Sequence, residues 1–473
     1  MRTLDNGLSP ARRASRGLAA RRACPPGEQA QLPLPKDRED PAALLRAEDA
    51  SRLPELVPVR HERMLASPFA HFRGSAGAMA RDLAAGPVSG LGVQLCGDAH
   101  LSNFGLFASP ERRLLFDVND FDETTPGPWE WDVKRLAASL VIAGRDNGFD
   151  RKARRKVVVA TVRRYRDAMV QFAGMRQLEV WYASADFAEI NKLLESKLSK
   201  AGRRRVDKTV LRARGSDSLK AMRKLTWTVD GQRRIKADPP LVVPLTDLLP
   251  DVDREALEQR IRDLLRRYRR TLETDRQVLL DRYEYVDMAR KVVGVGSVGT
   301  RCWVVLLQGR DEHDPLFLQV KEAQRSAVAP FVPRPLRASH SPANEGKRVV
   351  DGQRLMQAAS DLFLGWERVE GMDGARRDFY VRQLRDQKGS FAVERMVPRG
   401  MRHYGELCGW TLARAHARSG DAIAIAAYLG EGDDTFPKAI GKFAERYADR
   451  NERDHRRVSE ALRPGGLAAV AAG

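Results

Sequence analysis

The stretch that most restricts the fold of this chain is "KVVGVGSVGTRCWVVLLQGRDEHDPLFLQVKEA", Lys291 to Ala323. Gly294, Gly296 and Gly299 are spaced GxGxxG, a pattern that alone says only that the backbone turns tightly. The residues after the third glycine decide the class. In a dinucleotide-binding fold a helix would open there, with an acidic residue about 20 positions further on. Here "TRCWVVLL" is β-branched and aromatic and reads as a strand. After a polar turn, "PLFLQV" reads as a second strand and delivers Lys321. The glycines would let backbone approach a phosphate, and the lysine would supply a positive point charge.

That order of strand, glycine turn, strand, turn and strand ending in lysine is how a protein kinase covers and grips nucleotide phosphates. Phosphoryl transfer from ATP also needs a carboxylate to orient the acceptor hydroxyl and take its proton, together with oxygen ligands for magnesium. "VQLCGDAHLSNFGLF" (Val93 to Phe107) places Asp98, His100 and Asn103 in a loop after a strand pattern. Asp98 is the candidate base and Asn103 a candidate metal ligand. His100 reads as a loop histidine bonded to local backbone. The next strand, "RRLLFDVNDFDET", ends in carboxylates. Asp120 fits the magnesium aspartate and Asp117 is the fallback. Four acidic groups, Asp117, Asp120, Asp122 and Glu123, repel one another unless a cation or arginine sits among them.

A chain of 473 residues, 42% apolar and 31% charged, can bury a large core in two or three lobes. Its formal charge of +19 attracts anions generally, and basic runs such as "RKARRKVVVATVRRYR" leave nucleic acid possible. No reader motif or stacking aromatic series accompanies them, so solvated helix faces are the simpler account. The apolar runs, such as "AIAIAAYL", are too short for a membrane span. The start is basic, lacks the apolar core of a secretory signal, and reads as a disordered tail over residues 1–40. Cys24, Cys96, Cys302 and Cys408 lie far apart without a CxxC pair, which indicates neither a disulfide framework nor a structural zinc site and fits a reducing cytoplasm. Asp230 and Gly231 mark a hairpin turn. A metallophosphoesterase would want an upstream Asp-x-His and a downstream Gly-Asn-His, and the sequence has neither.

"CGDAHLSN", "NDFDE" and "WEWDVKRLAASL" resemble the catalytic loop, metal aspartate and adjoining buried helix of the aminoglycoside phosphotransferase and choline kinase type, with Cys96 where that type usually has histidine. The resemblance implies that Asp132 braces the loop through backbone bonds. From about Asp40 onward the chain also resembles the bacterial family called domain of unknown function 2252, on phrases such as "LVPVRHERMLASPFAHFRGSAGAMARDLA" and "DGQRLMQAASDLFLGW". Relative to an ordinary kinase-like chain the order is reversed, since the catalytic half precedes the glycine turn. The implied fold is α+β, protein-kinase-like with two lobes in circularly permuted order. Residues 41–286 form a helical lobe carrying the catalytic loop and metal motif, 287–389 a small antiparallel nucleotide-binding lobe, and 390–473 helices completing the catalytic lobe. The implied activity is ATP- and magnesium-dependent phosphotransfer to a small-molecule hydroxyl, with catalytic Asp98, Asn103 and Lys321. A nucleotide-binding pseudokinase, an adenylyl-transferring relative and, less favoured, a basic nucleic-acid binder are the alternatives. The acidic partner of Lys321 is open among Glu345, Glu322 and the helix position of Gln353.

Overall fold

The protein, as a computed structural model, is described over residues 7–463 apart from 36, 196–199, 230, 339, 372, 385 and 386. Helices dominate, and among the described residues the strands form four antiparallel sheets, so the class is α+β. In chain order the strands are β1 Gly92–Leu95, β2 Phe104–Ala108, β3 Leu114–Val118, β4 Thr125–Pro128, β5 Thr226–Val229, β6 Gln232–Ile235, β7 Val242–Pro244, β8 Glu284–Lys291, β9 Cys302–Gln308, β10 Pro315–Ala323, β11 Gly365–Glu370 and β12 Arg376–Gln383. The largest sheet has the order β11-β12-β10-β9-β8-β7; β1 pairs with β4, β2 with β3 and β5 with β6. The β5–β6 hairpin is the one expected around Gly231, although Asp230 lies outside the described residues.

Alternation along β10 fixes what each sheet face does. Leu316 and Leu318 pack with Val305, Leu307, Tyr268 and Leu272, beneath the helix Arg254–Arg269. Phe317 packs on the opposite side with Val304, Leu306 and Met222. Lys321 shares the parity of Phe317 and is therefore directed away from the Arg254 helix. The helix Glu345–Met356 packs against β10, β11 and β12 and also meets the long helix Pro398–Ser419.

The main core joins β1 to β4 with the helices Trp129–Asp146, Arg151–Ala173, Pro398–Ser419 and Thr435–Ala461. A helix buried on all sides must satisfy its charges internally. The Trp129 helix does so: Glu130 accepts from Ser89, Asp132 from the loop after β1, and Arg135 pairs with Asp98. The Arg151 and Pro398 helices approach closely because Gly405 and Gly409 lie against Thr161, where a Cβ would collide. The basic run of the Arg151 helix is partly consumed in ion pairs, Arg154 with Glu445 at 3.0 Å and Arg166 with Asp434 at 3.1 Å.

The expected disordered tail needs correction. Pro10–Ala23 is a helix capped by Ser9 and docked on the helix Ala422–Leu429. Arg13 pairs with Asp421 at 2.8 Å, and Arg21 donates to the carbonyls of Tyr428 and Leu429 at 2.7 and 2.9 Å. Its docking face is made of small residues, Gly17 and Ala20, so apolar periodicity gives no sign of it. The four cysteines are buried and free. Among the described residues no helix is long and apolar enough to cross a membrane.

Candidate functional site

Three chain segments meet around a cavity of about 320 Å³. The loop after β1 supplies Asp98, His100 and Asn103; the turn after β3 supplies Asp120, Asp122 and Glu123; and the turn between β8 and β9 supplies Gly294 and Gly296. The N-terminal helical region adds Glu48, Arg52 and Arg73, and the end of β10 with the residues after it adds Glu322 to Arg325 and Ala327.

The loop after β1 is held from below. Asp132, one turn into its helix, accepts hydrogen bonds from the backbone N–H of Cys96 at 2.8 Å and of Gly97 at 3.1 Å, the bracing bonds that the resemblance implies. Gly97 has φ of +83°, and a Cβ there would run into the Glu123 carbonyl, so a side chain is excluded on both counts. Asp98 then meets Arg135, whose Nε and Nη2 each lie 2.8 Å from its Oδ1. Arg135 is itself fixed, with its guanidinium 3.8 Å over the Phe72 ring and Nη2 bonded to the Phe72 carbonyl at 2.6 Å. Burial raises the Asp98 carboxyl above the ordinary range, and Arg135 and Arg73 oppose the shift. Asn103 donates its side-chain N–H to the Asp98 carbonyl at 2.9 Å, which directs its amide nitrogen inward and leaves the amide oxygen for other use. His100 is buried and accepts from the Ser102 N–H at 3.2 Å through Nδ1; burial keeps its ring neutral.

Lys321 stands behind the cavity wall. Its Nζ lies 2.6 Å from Asp122 Oδ2, and the Tyr380 hydroxyl donates to Asp122 Oδ1 at 2.6 Å. Asp122 is thus the acidic partner of Lys321. The sequence-based candidates are engaged elsewhere: Glu345 with Arg348, Glu322 with the Arg301 N–H at 3.0 Å, and Gln353 with Gln357 at 2.9 Å. Burial opposes ionisation of both members, yet Lys321 holds Asp122 below the ordinary carboxylate range while Asp120 and Asp122 hold Lys321 well above its own. Asp120 has no such lysine bond. Burial, and after it the charge of Asp122, raises its carboxyl, and a cation in the cavity would favour its ionised form. Asp120 and Asn103 offer hard oxygen donors, and magnesium commonly takes one or two protein oxygens and fills its remaining positions with phosphate and water. The donor set fits that ion. Among the described residues no cluster of three or more histidine, cysteine or acidic side chains forms a closed metal cage.

Two expectations are corrected by position. Asp117 lies in the buried strand β3, not in the cavity. Both its oxygens take Arg414 Nη2 at 2.8 Å, and Oδ2 also accepts the Ala358 N–H at 2.8 Å, so it is a structural anchor between strand and helix rather than a metal ligand. Gly299 does not line the cavity. With φ of +89° it closes the turn against Arg52 and accepts the Leu53 N–H at 2.8 Å. Sequence reasoning also passed over Arg52, Arg73 and Arg135; Arg73 and Arg135 lie within phrases quoted above, but nothing local shows that their side chains reach the Asp98 loop, which only tertiary packing brings about.

Residues 52–461 match the sequence family described as "Uncharacterized protein conserved in bacteria (DUF2252)", and the chain belongs to that family. No curated protein and no solved structure shows significant similarity to it.

Proposed function

We propose that this chain is an ATP- and magnesium-dependent phosphotransferase with a kinase-like, circularly permuted arrangement of two lobes, acting on a small-molecule hydroxyl. The observation that carries the reading is convergence. Asp98, Asn103, Asp120 and Asp122 line one cavity with Gly294 and Gly296, some 170 to 200 residues later, and Lys321 is bonded to the Asp122 wall. Unrelated motifs would have no reason to meet.

In this reading the glycine turn and Lys321 hold the nucleotide phosphates, while Asp120 and Asn103 hold magnesium. The metal, when bound, neutralises charge on the phosphates and orients them. Asp98 receives the acceptor's hydroxyl proton as the new oxygen–phosphorus bond forms and the bond to the leaving ADP oxygen breaks. Arg135 keeps the Asp98 carboxylate oriented and favours its ionised, proton-accepting form. Asp132 fixes the loop through Cys96 and Gly97. Position in space, not order along the chain, is what this chemistry requires, so permutation is compatible with it.

The test uses purified protein, magnesium and ATP labelled separately on its α or γ phosphate, offered to a metabolite extract. Transfer of the γ label to a small molecule supports the reading. Transfer of the α label identifies an adenylyltransferase instead, and nucleotide binding without transfer of either label identifies a pseudokinase.

A further inference from the structure

Of the arginines that line the cavity, Arg52, Arg73 and Arg325, Arg73 is the one whose charged neighbours are Asp98 and Asp120. It ends the short helix Pro68–Arg73, and its side chain faces the space between Asp98 and Asp120. Among the described residues it makes no hydrogen bond or ion pair, and its Nε is buried without a partner. Two arginines that adjoin its neighbours are paired, Arg60 with Glu48 and Asp49 and Arg135 with Asp98. Leaving a half-buried guanidinium unpaired is costly, and a ligand anion removes that cost.

We propose that Arg73 binds an anionic group, phosphate or carboxylate, carried by the acceptor, so that the acceptor is an acidic hydroxyl compound. The proposal rests on the phosphotransfer reading of the cavity and assigns its substrate class. The planar guanidinium presents paired N–H donors that match either oxyanion. Arg52 lies beneath the end of the glycine turn and donates to the Val298 carbonyl at 2.6 Å, whereas Arg73, whose own carbonyl lies close to Gly296, has Asp98 and Asp120 as the charged neighbours of its side chain. The acidic wall does not exclude an anion. Asp98 is offset by Arg135 and Asp122 by Lys321, and magnesium would offset Asp120, which leaves the Arg73 charge uncompensated.

The experiment titrates inorganic phosphate, and in parallel succinate, into the full chain held with magnesium and saturating non-hydrolysable ATP analogue, and reads the melting temperature. The expected result is a phosphate- or succinate-dependent stabilisation on top of that from nucleotide, weakened about tenfold or more in apparent affinity by Arg73→Gln, the scale of a lost charge-assisted bond. Arg73→Lys should retain part of it. Because the Arg73 side chain makes no bond within the protein, both variants should keep the nucleotide-dependent shift, which also reports that they fold. Which anion binds more tightly distinguishes an acceptor phosphate from a carboxylate. The proposal is overturned if neither anion stabilises the nucleotide-loaded protein, if Arg73→Gln leaves the anion response unchanged, or if anion and nucleotide exclude each other, which would give Arg73 to the nucleotide. Absence of any nucleotide-dependent shift would instead remove the phosphotransfer reading, and the acceptor role with it; that failure appears in the nucleotide arm alone.

Discussion

Asp98 and Lys321 have separable tasks, and substitution should separate them. In the proposed reaction Asp98 would meet the acceptor, so Asp98→Asn should leave ATP affinity nearly intact and lower transfer by about a hundredfold or more, the usual scale for a positioned base. It should also lower the melting temperature, because Arg135 loses its buried counter-charge. A binding isotherm and a turnover assay on the same preparation check this, and undiminished transfer would remove Asp98 from the chemistry. In the proposed site Lys321 would act on the phosphates in ground and transition states alike, so Lys321→Met should weaken both nucleotide binding and turnover. Glu123 gives a pH signature. Burial pushes its carboxyl from an ordinary 4.5 up to about 7, so the native state binds this proton more tightly than the unfolded chain does. Its contribution to stability is therefore fully present below pH 4.5 and is lost as the pH rises through about 7. Glu123→Gln should flatten the melting-temperature profile across that window. An unchanged slope would show that other groups set it.

At the scale of elements, the strands flanking the glycine turn were legible because alternation and β-branching act locally. β9 and β10 stand where "TRCWVVLL" and "PLFLQV" place them, with Lys321 near the end of β10, while β8 starts at Glu284, ahead of the Ala289 at which strand pattern was expected to begin. The Asp98 loop was legible for the same reason, since a strand pattern leads straight into it. The partner of Lys321 was not, because Asp122 lies 199 residues away and is brought there only by tertiary packing. Choosing between Asp117 and Asp120 also needed the fold: both are carboxylates at a strand end, and only Arg414, from a distant helix, reveals that Asp117 faces the core. The helix Pro10–Ala23 was hidden by its composition, because arginines crowd it and its contact surface is glycine and alanine. Its docking is testable. A Cβ at Gly17 would run into the Ala424 carbonyl and the Ala427 side chain, so Gly17→Leu should destabilise the protein by about 1–3 kcal/mol. A chemical-denaturation midpoint equal to the wild type would show that this helix adds nothing to the fold.

For the whole molecule the account depends on segments from both halves of the sequence acting as one nucleotide site. Magnesium-ATP bound across them should stabilise the entire fold by mass action, about 2.7 kcal/mol at a hundredfold excess over Kd. In the proposed site Asp120 would tie that binding to the metal. The most direct measurement is the melting temperature of wild type and Asp120→Ala, each with ATP alone and with ATP plus magnesium. The predicted result is a large magnesium-dependent increment in the wild type that is mostly lost in Asp120→Ala. An ATP shift of equal size with and without magnesium, and equal in the two proteins, would contradict the magnesium–nucleotide site on which the proposed function depends.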